Sequence, residues 1–242
     1  MSRNHDRERG EALFRKLQQV TAQAEQSSTS LAMEHPGELR KMKKFRFQLL
    51  HRWLVGRFEP CRAADIAGGK GLLAYLLQQS GWDTAVIDPL YQPLPEKYKD
   101  ISSSQRVKIA PNRGVLYLGQ PFVKAMGEQF DLLIGMHAHC CNIAIIEAAA
   151  EFGCGFVLFP CCVIGEPFIP PVGVDWLEYV ADYAVGKGLA VTPFRLNFKG
   201  QNIGLYGVGP KLRPLETTMT TTKPARSALL RASSTRADLQ SA

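Results

Sequence analysis

The sequence lacks any apolar run that is long enough to cross a bilayer. Its two longest runs, residues 143–150 and 155–160, fall far short of the roughly 20 residues that a membrane-spanning helix needs. The chain also lacks the apolar segment of a secretory leader at its start. We therefore expect a protein without a transmembrane segment.

The six cysteines lack the spacing of a disulfide framework. Four of them form two vicinal pairs, Cys140 with Cys141 and Cys161 with Cys162. Together with the missing leader, this cysteine usage favours a reducing environment, because disulfides persist mainly in secreted proteins. We expect a cytoplasmic protein.

Strong charge is also absent. Lys and Arg number 29 against 22 Asp and Glu, so the net charge is only +7 and the pI about 9.1. This moderate excess permits a polyanionic partner without requiring one. A hydrophobic content of 45% over 242 residues is enough for one core of ordinary size.

The composition divides the chain into three parts, with no internal repeat. Residues 1–36 are polar and carry a weak helical period, which predicts a short, loosely attached helix and a linker. Residues 37–210 hold the apolar patterns of one domain. Residues 211–242 are rich in Ser, Thr, Ala and Arg, and we expect a disordered basic tail.

A basic amphipathic helix is predicted over residues 38–58, where apolar residues recur at three- and four-residue steps. Its basic residues are Arg40, Lys41, Lys43, Lys44, Arg46 and Arg52. Two interpretations are open. The helix packs on the sheet with a solvated basic face, or that face contacts the phosphate backbone of a nucleic acid, with RNA as the expected partner.

Strand and helix patterns alternate through the domain. Strands are predicted at residues 63–67, 83–87, 115–118, 130–136, 155–159, 190–198 and 202–208, and the Pro- and Ser-rich segment after the second strand is predicted to be a loop. Strand sequences such as LLIG and FVLF have no polar alternation, which is typical of burial on both faces. We predict an α/β fold: a Rossmann-like, doubly wound sheet of seven strands with helices on both faces and a C-terminal antiparallel hairpin strand.

A glycine-rich turn joins the first strand to a leucine-rich helix in residues 62–77, RAADIAGGKGLLAYLL. Glycines let backbone N–H groups approach a ligand, and the positive end of the helix dipole points at the same place. The pattern predicts a nucleotide-type cofactor site, although an ordinary tight turn is the alternative. Its candidate residues are Asp65, Ala67, Gly68, Gly69 and Gly71.

Two further candidates follow the second and third strands. Asp88 is suited to accept hydrogen bonds from both ribose hydroxyls, as acidic residues at this place do in nucleotide-binding folds. Gln120 is suited to an adenine edge. An alternative is open for each residue. Asp88 precedes Pro89 and is also explained as a helix-cap or turn aspartate, and Gln120 is also explained as a turn residue.

The turn fits two cofactor patterns. It is not a GxxxxGK[ST] phosphate loop, because Leu72 stands where the magnesium-binding hydroxyl belongs. It matches the dinucleotide pattern GxGxxA at Gly69, Gly71 and Ala74. It equally resembles DxGxGxG, the first motif of class I S-adenosylmethionine-dependent methyltransferases, with Ala67 in place of the first glycine. The turn alone leaves an NAD(P)-dependent oxidoreductase and a methyltransferase open.

Two clusters follow the fourth and fifth strands, HAHCCN and PCC. With DIAGGKG they resemble a subgroup of the class I methyltransferases that has the motifs DxGxGKG, LHxC and PCC, in the same order and spacing over residues 43–209. The subgroup includes tRNA ribose 2′-O-methyltransferases and methyltransferase-like proteins. The chain departs from it in two ways: no separate zinc-binding segment is present, and Cys141 or Asn142 stands where an acid often follows LHxC.

The resemblance implies methyl transfer from S-adenosylmethionine, with RNA (tRNA or rRNA) as the leading acceptor. Three alternatives stay open: a protein or small-molecule acceptor, a methyltransferase-like RNA-binding factor without catalysis, and the oxidoreductase. His139 is the candidate general base and His137 a candidate for the cofactor pocket. Which of the two faces the pocket depends on where the strand stops pleating. A role in orienting the loop is the alternative for His139.

The cysteines admit three accounts. They are small apolar groups in the core, or nucleophiles, or zinc ligands. In the second account Cys140 and Cys162 occupy places similar to the two cysteines of RNA cytosine-5 methyltransferases, where a thiolate attacks C6 of the pyrimidine. In the third, His137 or His139 joins the cysteines, but vicinal cysteines lack the usual CxxC separation, so we predict no metal site. Residues 163–174 follow PCC, and two interpretations are open: Phe168 and Ile169 form one wall of a substrate pocket, or the segment is a packed connection.

Overall fold

The computed structural model describes residues 2–21, 44–111 and 113–215. The helices are α1 (Ser2–Val20), α2 (Arg46–Val55), α3 (Leu72–Gln79), α4 (Asn142–Phe152) and α5 (Trp176–Gly186), with a 3-10 helix at Lys124–Gln129. The strands are β1 (Arg62–Ile66), β2 (Asp83–Ile87), β3 (Lys97–Lys99), β4 (Arg106–Lys108), β5 (Leu116–Leu118), β6 (Leu132–Met136), β7 (Gly155–Phe159), β8 (Thr192–Arg195) and β9 (Ile203–Gly207).

Seven strands form one sheet in the order β5-β2-β1-β6-β7-β9-β8. Its first five strands pair in parallel, whereas β9 runs antiparallel to both β7 and β8. The predicted Rossmann-like sheet with an antiparallel hairpin strand is therefore confirmed. All residues of β6 and β7 are buried, which is the reason that these strands carry no polar alternation.

Helices cover both faces of the sheet. One apolar cluster joins α1, α4 and α5 to residues such as Leu133 and Phe156. The other joins α2 and α3 to residues such as Leu132 and Phe159. Neighbouring residues of β6 and β7 thus enter opposite clusters, as the two-residue period of a strand requires. In the described residues no helix is long and apolar enough to cross a membrane.

The N-terminal helix α1 is packed more firmly than its composition indicates. Leu17 is fully buried in the cluster with α5, and Leu13 and Phe14 lie partly buried beside it. The polar residues between them hide this narrow apolar stripe in a composition average. The expectation of a loosely attached helix was wrong for this part of the chain.

The basic helix α2 is described only from Arg46, so Arg40, Lys41 and Lys43 lie outside the described residues. Lys44 and Arg52 are exposed. Arg46 is half-buried over the ring of Phe47, and burial lowers the pKa of its guanidinium. Lys44, which lies over the ring of Phe45, and Arg52, which donates to Ser102 Oγ, are thus exposed cations of this segment, whereas Arg46 is not.

The segment after β2, predicted to be a loop, contains the two-stranded antiparallel sheet β3–β4. Its strands are three residues long and mostly exposed, so they have no apolar pattern by which a sequence could predict them. The Gln48 side chain of α2 holds this hairpin. Its Nε2 donates to Lys99 O at 2.8 Å and its Oε1 accepts from the Ile101 N–H at 2.8 Å.

The chain beyond β9 stays attached to the domain up to residue 215. Leu212 is buried against Gly155, where an added Cβ would lie 2.4 Å from Leu212 Cδ2. The Leu215 N–H donates to Arg57 O at 2.8 Å. Residues 211–215 of the predicted tail are therefore part of the packed domain, and residues 216–242 lie outside the described residues.

Candidate functional site

The predicted site residues follow strands β1, β2, β5, β6 and β7 at one edge of the sheet. The chain runs from β1 outward through β2 to β5 and then returns to β6 on the other side of β1. In open α/β sheets a ligand crevice forms at such a reversal, outside the carboxyl ends of the strands. The glycine turn after β1 and the HAHCC segment after β6 flank this point.

Left-handed backbone shapes the glycine turn. Ala67, Gly69 and Gly71 have φ angles of +52°, +57° and +69°, a region in which a Cβ is unfavourable. Gly68 is small for a different reason, because a Cβ there would lie 2.6 Å from Asp65 Cγ. An added Cβ on Gly69 would meet only Gln92 Nε2, at 3.8 Å. The turn therefore has room for a ligand above Gly69.

Asp65 lies beneath this turn and is 2% exposed. Its Oδ2 has no hydrogen-bond partner. Burial raises the pKa of the Asp65 carboxyl to about 7, and the charge of Asp88 adds to the shift, while the Ala74 N–H opposes it. A buried acceptor without a donor is costly, so a carboxylate here is explained better by a ligand than by stability.

Asp88 connects the end of β2 to the turn. Its Oδ2 accepts from the Gly69 N–H at 3.0 Å and its Oδ1 accepts from the Leu90 N–H at 2.9 Å. Each carboxylate oxygen has a second lone pair, so both can still accept a hydroxyl proton. The structure thus brings together Asp65, the turn and Asp88, as the sequence predicts.

Gln120 and His137 are less closely placed. Gln120 is exposed, and its Nε2 lies 3.9 Å from Met126 Sδ. His137 has a φ of +59° and is partly buried. Its ring centroid lies 6.5 Å from that of Phe159 and 6.2 Å from that of Phe198. The assignment of both residues to the cofactor stays a prediction.

A cluster of one imidazole and two thiols forms between the ends of β6 and β7. His139 Nδ1 lies 2.9 Å from Cys162 Sγ, and His139 Nε2 lies 3.9 Å from Cys161 Sγ. The two sulfurs are 3.9 Å apart. His139 is exposed and both cysteines are partly buried. We call these three residues the His–Cys cluster.

Cys140 belongs to a different contact. Its Sγ donates to Ile164 O at 3.5 Å and fills the space over Gly165, where a Cβ would lie 2.2 Å from the sulfur. The three catalytic candidates therefore do not lie together. His139 contacts Cys162, whereas Cys140 contacts the loop of residues 163–174. In that loop Phe168 packs on Tyr183, with ring centroids 5.7 Å apart, while Ile169 is 81% exposed.

Glu166 is a residue that the sequence reasoning missed. Its Oε1 accepts from the N–H and the side-chain amide of Asn142, at 2.8 and 2.6 Å, and its Oε2 accepts from the Ile143 N–H at 3.2 Å. It therefore brings to the first turn of α4 the acid that is missing after HAHC. Glu166 is the single carboxylate in residues 163–174, which is the signal that would have drawn attention to it.

A cleft of about 850 Å³ lies beside the turn, between the loop after β2, the β3–β4 hairpin and the start of β5. Gln92 is part of its wall and reaches toward Gly69. Three exposed cations, Lys97, Lys108 and Arg113, line it with the aromatic rings of Tyr91 and Tyr117. Its size and mixed lining suit a ligand rather than a packing defect.

No family model and no curated protein matches the chain. Among solved structures it is similar to monomeric WbdD, with 13% identity and a TM-score of 0.33 over 73% of this chain and 42% of that one. It is also similar to a candidate O-methyltransferase from Nostoc punctiforme, with 13% identity and a TM-score of 0.40 over 80% of this chain and 66% of that one. For the PH0226 protein from Pyrococcus horikoshii the identity is 11% and the TM-score 0.38, over 77% of this chain and 94% of that one.

The chain thus spans less than half of WbdD and about two thirds of the Nostoc protein. Similarities of this size carry no activity over to this chain.

Proposed function

We propose that the chain is an S-adenosylmethionine-dependent methyltransferase whose acceptor is RNA. The observation that carries the proposal is the buried Asp65 carboxyl beneath the glycine turn at the reversal of the sheet, whose Oδ2 has no hydrogen-bond partner. The reversed strand β9 adds support, because class I methyltransferases end in such a strand and simple dinucleotide-binding domains usually do not.

The charge of the site favours this cofactor over a dinucleotide. S-adenosylmethionine carries a cationic amino group and a sulfonium, whereas NAD(P) would place a pyrophosphate over the same turn. The carboxylates of Asp65 and Asp88 interact enough for Asp88 to raise the pKa of Asp65. Two neighbouring carboxylates attract cationic groups and repel phosphates.

The roles of the binding residues follow from their contacts. Asp88, fixed by the Gly69 and Leu90 N–H groups, accepts the ribose hydroxyls. Gly69 leaves the space in which the cofactor lies against the backbone. S-adenosylmethionine supplies an activated methyl group, so the remaining task of the chain is to align an acceptor and to take up its proton.

His139 is the group that can take up this proton. It lies on the adjacent strand end and its Nδ1 is 2.9 Å from Cys162 Sγ. The same contact allows the imidazole to activate the thiol as a nucleophile toward a pyrimidine. A mechanism with two cysteines would also need Cys140 to leave its contact with Ile164 O. We therefore favour a hydroxyl acceptor with His139 as base.

RNA is favoured as the acceptor by the cations beside the site. Lys97, Lys108 and Arg113 line the cleft next to the turn against one carboxylate, Glu96, and the chain as a whole carries +7. Phosphate contacts of this kind give affinity without sequence preference. The aromatic side chains of the same cleft suit base stacking.

Calorimetric titration with S-adenosylhomocysteine tests the cofactor, with NAD(H) and NADP(H) as parallel titrations. We expect micromolar binding of S-adenosylhomocysteine alone. Replacing Asp88 by Ala should weaken this binding by about tenfold or more, since two hydroxyl contacts are lost. Asp83→Ala, at the opposite end of β2, is the matched control. Binding of a nicotinamide cofactor instead, or equal affinity in the two variants, would contradict the assignment.

Transfer of a labelled methyl group to an RNA pool, a protein pool and small metabolites tests the acceptor. We expect label in RNA and its loss in the variant His139→Ala. Label in protein alone would overturn the RNA proposal. Cofactor binding without transfer to any pool would favour a non-catalytic RNA-binding factor.

A further inference from the structure

We propose that the His–Cys cluster is a zinc site with three protein ligands, His139, Cys161 and Cys162. One donor atom from each of these residues lies within 4.8 Å of the other two. The donor set is one imidazole and two thiols, which selects thiophilic, d10 ions such as Zn²⁺ over Mg²⁺ or Ca²⁺. This proposal is independent of the cofactor and of RNA as the acceptor, but it would replace the role of His139 as general base, because an imidazole bound to zinc has no free lone pair to take up a proton.

Tetrahedral coordination requires the imidazole to turn one ring nitrogen toward both sulfurs, because Nδ1 of His139 now contacts Cys162 Sγ while Nε2 contacts Cys161 Sγ. Zn–S bonds of about 2.3 Å and Zn–N bonds of about 2.05 Å place two sulfurs about 3.8 Å apart and a nitrogen and a sulfur about 3.6 Å apart. The two sulfurs of the cluster are already 3.9 Å apart. The contact of 2.9 Å between His139 Nδ1 and Cys162 Sγ must widen by about 0.7 Å, which rotation of an exposed imidazole can supply.

The register of the sheet explains why these residues meet. β6 and β7 pair in parallel, and Met136 is opposite Phe159. His139 and Cys162 each lie three residues beyond this pair, so both residues lie at the same level beyond the ends of the two strands. Because Cys161 and Cys162 follow Pro160, outside the regular strand, their side chains do not alternate between opposite faces as in a strand.

This arrangement removes the objection that vicinal cysteines lack a chelating separation. The objection holds in a regular strand or helix, where neighbours diverge, but here the two Sγ atoms lie 3.9 Å apart and both contact the His139 ring, Cys162 at Nδ1 and Cys161 at Nε2. Three protein ligands leave one tetrahedral position for water or a substrate atom, the pattern of catalytic rather than structural zinc. Cys140 does not complete the set, because its thiol is bonded to Ile164 O.

Metal analysis of the full chain, purified with a reductant and without chelator, is the first test. We expect about one zinc per chain by mass spectrometry. After zinc is replaced by Co²⁺, we expect the visible absorption of a tetrahedral site and a thiolate-to-cobalt charge-transfer band with the intensity of two thiolates. Reduced, folded protein that binds no Zn²⁺, or cobalt absorption without a thiolate band, would overturn the proposal.

Ligand variants identify the donors. Competition with a chromophoric chelator should show that His139→Ala, Cys161→Ser and Cys162→Ser each weaken Zn²⁺ binding by about 100-fold or more. Cys61→Ser and Cys140→Ser, whose thiols lie outside the cluster, should keep the affinity of the parent chain. Circular dichroism checks that each variant is folded.

Equal affinity in Cys162→Ser and Cys140→Ser would overturn the assignment. A disulfide between Cys161 and Cys162 in the reduced preparation, detected by mass, would overturn it as well. Should a ligand variant not fold, the number of thiolates read from the cobalt spectrum of the parent chain still decides. Neither result depends on S-adenosylhomocysteine binding, so the cofactor assignment and the zinc site fail separately.

Discussion

At the scale of single residues, Asp65 is the side chain whose presence is hardest to explain by stability. Burial raises the pKa of its carboxyl from 3.8 to about 7, so between these values the folded chain holds a proton that the unfolded chain has lost. Stability from this group is therefore full below pH 3.8 and is lost as the pH rises toward 7. The charged form of Asp65 therefore lowers the free energy of unfolding, and a cationic ligand beside it would offset this loss.

Replacing Asp65 by Asn tests this cost. The difference in free energy of unfolding between the variant and the parent chain should move in favour of the variant as the pH rises from about 5 to 8, because Asn does not titrate. Urea denaturation at both pH values measures it. S-adenosylhomocysteine binding should fall in the same variant. A pH-independent difference would contradict the raised pKa.

Ala67 is a second residue with a conformational cost. Its φ of +52° is unfavourable for a side chain with a Cβ by about 1 kcal/mol. Ala67→Gly should therefore leave the free energy of unfolding unchanged or raise it by up to about 0.5 kcal/mol, since glycine also loses more backbone entropy. Ala64→Gly, in the regular part of β1, should destabilise by about 1 kcal/mol or more. Equal losses in both variants would contradict the assignment of strain.

At the scale of elements, Glu166 fastens the loop of residues 163–174 to the first turn of α4. Glu166→Ala leaves the amide groups of Asn142 and Ile143 without this acceptor, and it should destabilise the chain by about 1–3 kcal/mol. Cleavage of the loop by a protease should also become faster. Glu151→Ala breaks only an exposed pair with Lys124 and should cost less than about 1 kcal/mol.

The segment after β9 gives a second prediction at this scale. Leu212→Ala should destabilise the chain by about 2–4 kcal/mol, because Leu212 is 3% exposed and fills the space over Gly155. Leu215→Ala, at a residue that is 42% exposed, should cost less than about 1 kcal/mol. Thermal unfolding of the two variants compares them. Similar melting temperatures would place residues 211–215 outside the domain.

At the scale of the whole molecule, the seven-stranded sheet was predictable because its strands are short apolar runs. The glycine turn was predictable from adjacent residues. The β3–β4 hairpin was not, since its strands are three residues long and mostly exposed and so show no apolar pattern. The contacts of Glu166 and of the His–Cys cluster join residues more than twenty positions apart, and their geometry depends on how side chains leave the strand ends.

The charge of the molecule gives a prediction about RNA. Replacing Lys97, Lys108 and Arg113 together by Ala should weaken RNA binding and reduce the slope of its dependence on salt concentration. Lys187 follows the last turn of α5 and so lies at the opposite end of the strands from the cleft. Lys187→Ala should change neither the affinity for RNA nor the slope of its salt dependence. Fluorescence anisotropy at several salt concentrations measures both. An unchanged slope in the triple variant would exclude the cleft as the RNA contact.

The side chain of Gln48 has a consequence for the pairing of the β3–β4 hairpin with strands of other chains. Its amide donates to Lys99 O and accepts from the Ile101 N–H, which are the two bonds that a peptide group of an adjacent strand would make. Gln48 is only 5% exposed, so α2 seals this edge of the hairpin. A side chain of a helix thereby takes the place of a neighbouring strand at Lys99 and Ile101, and these two backbone groups are not free to pair with a strand of another chain.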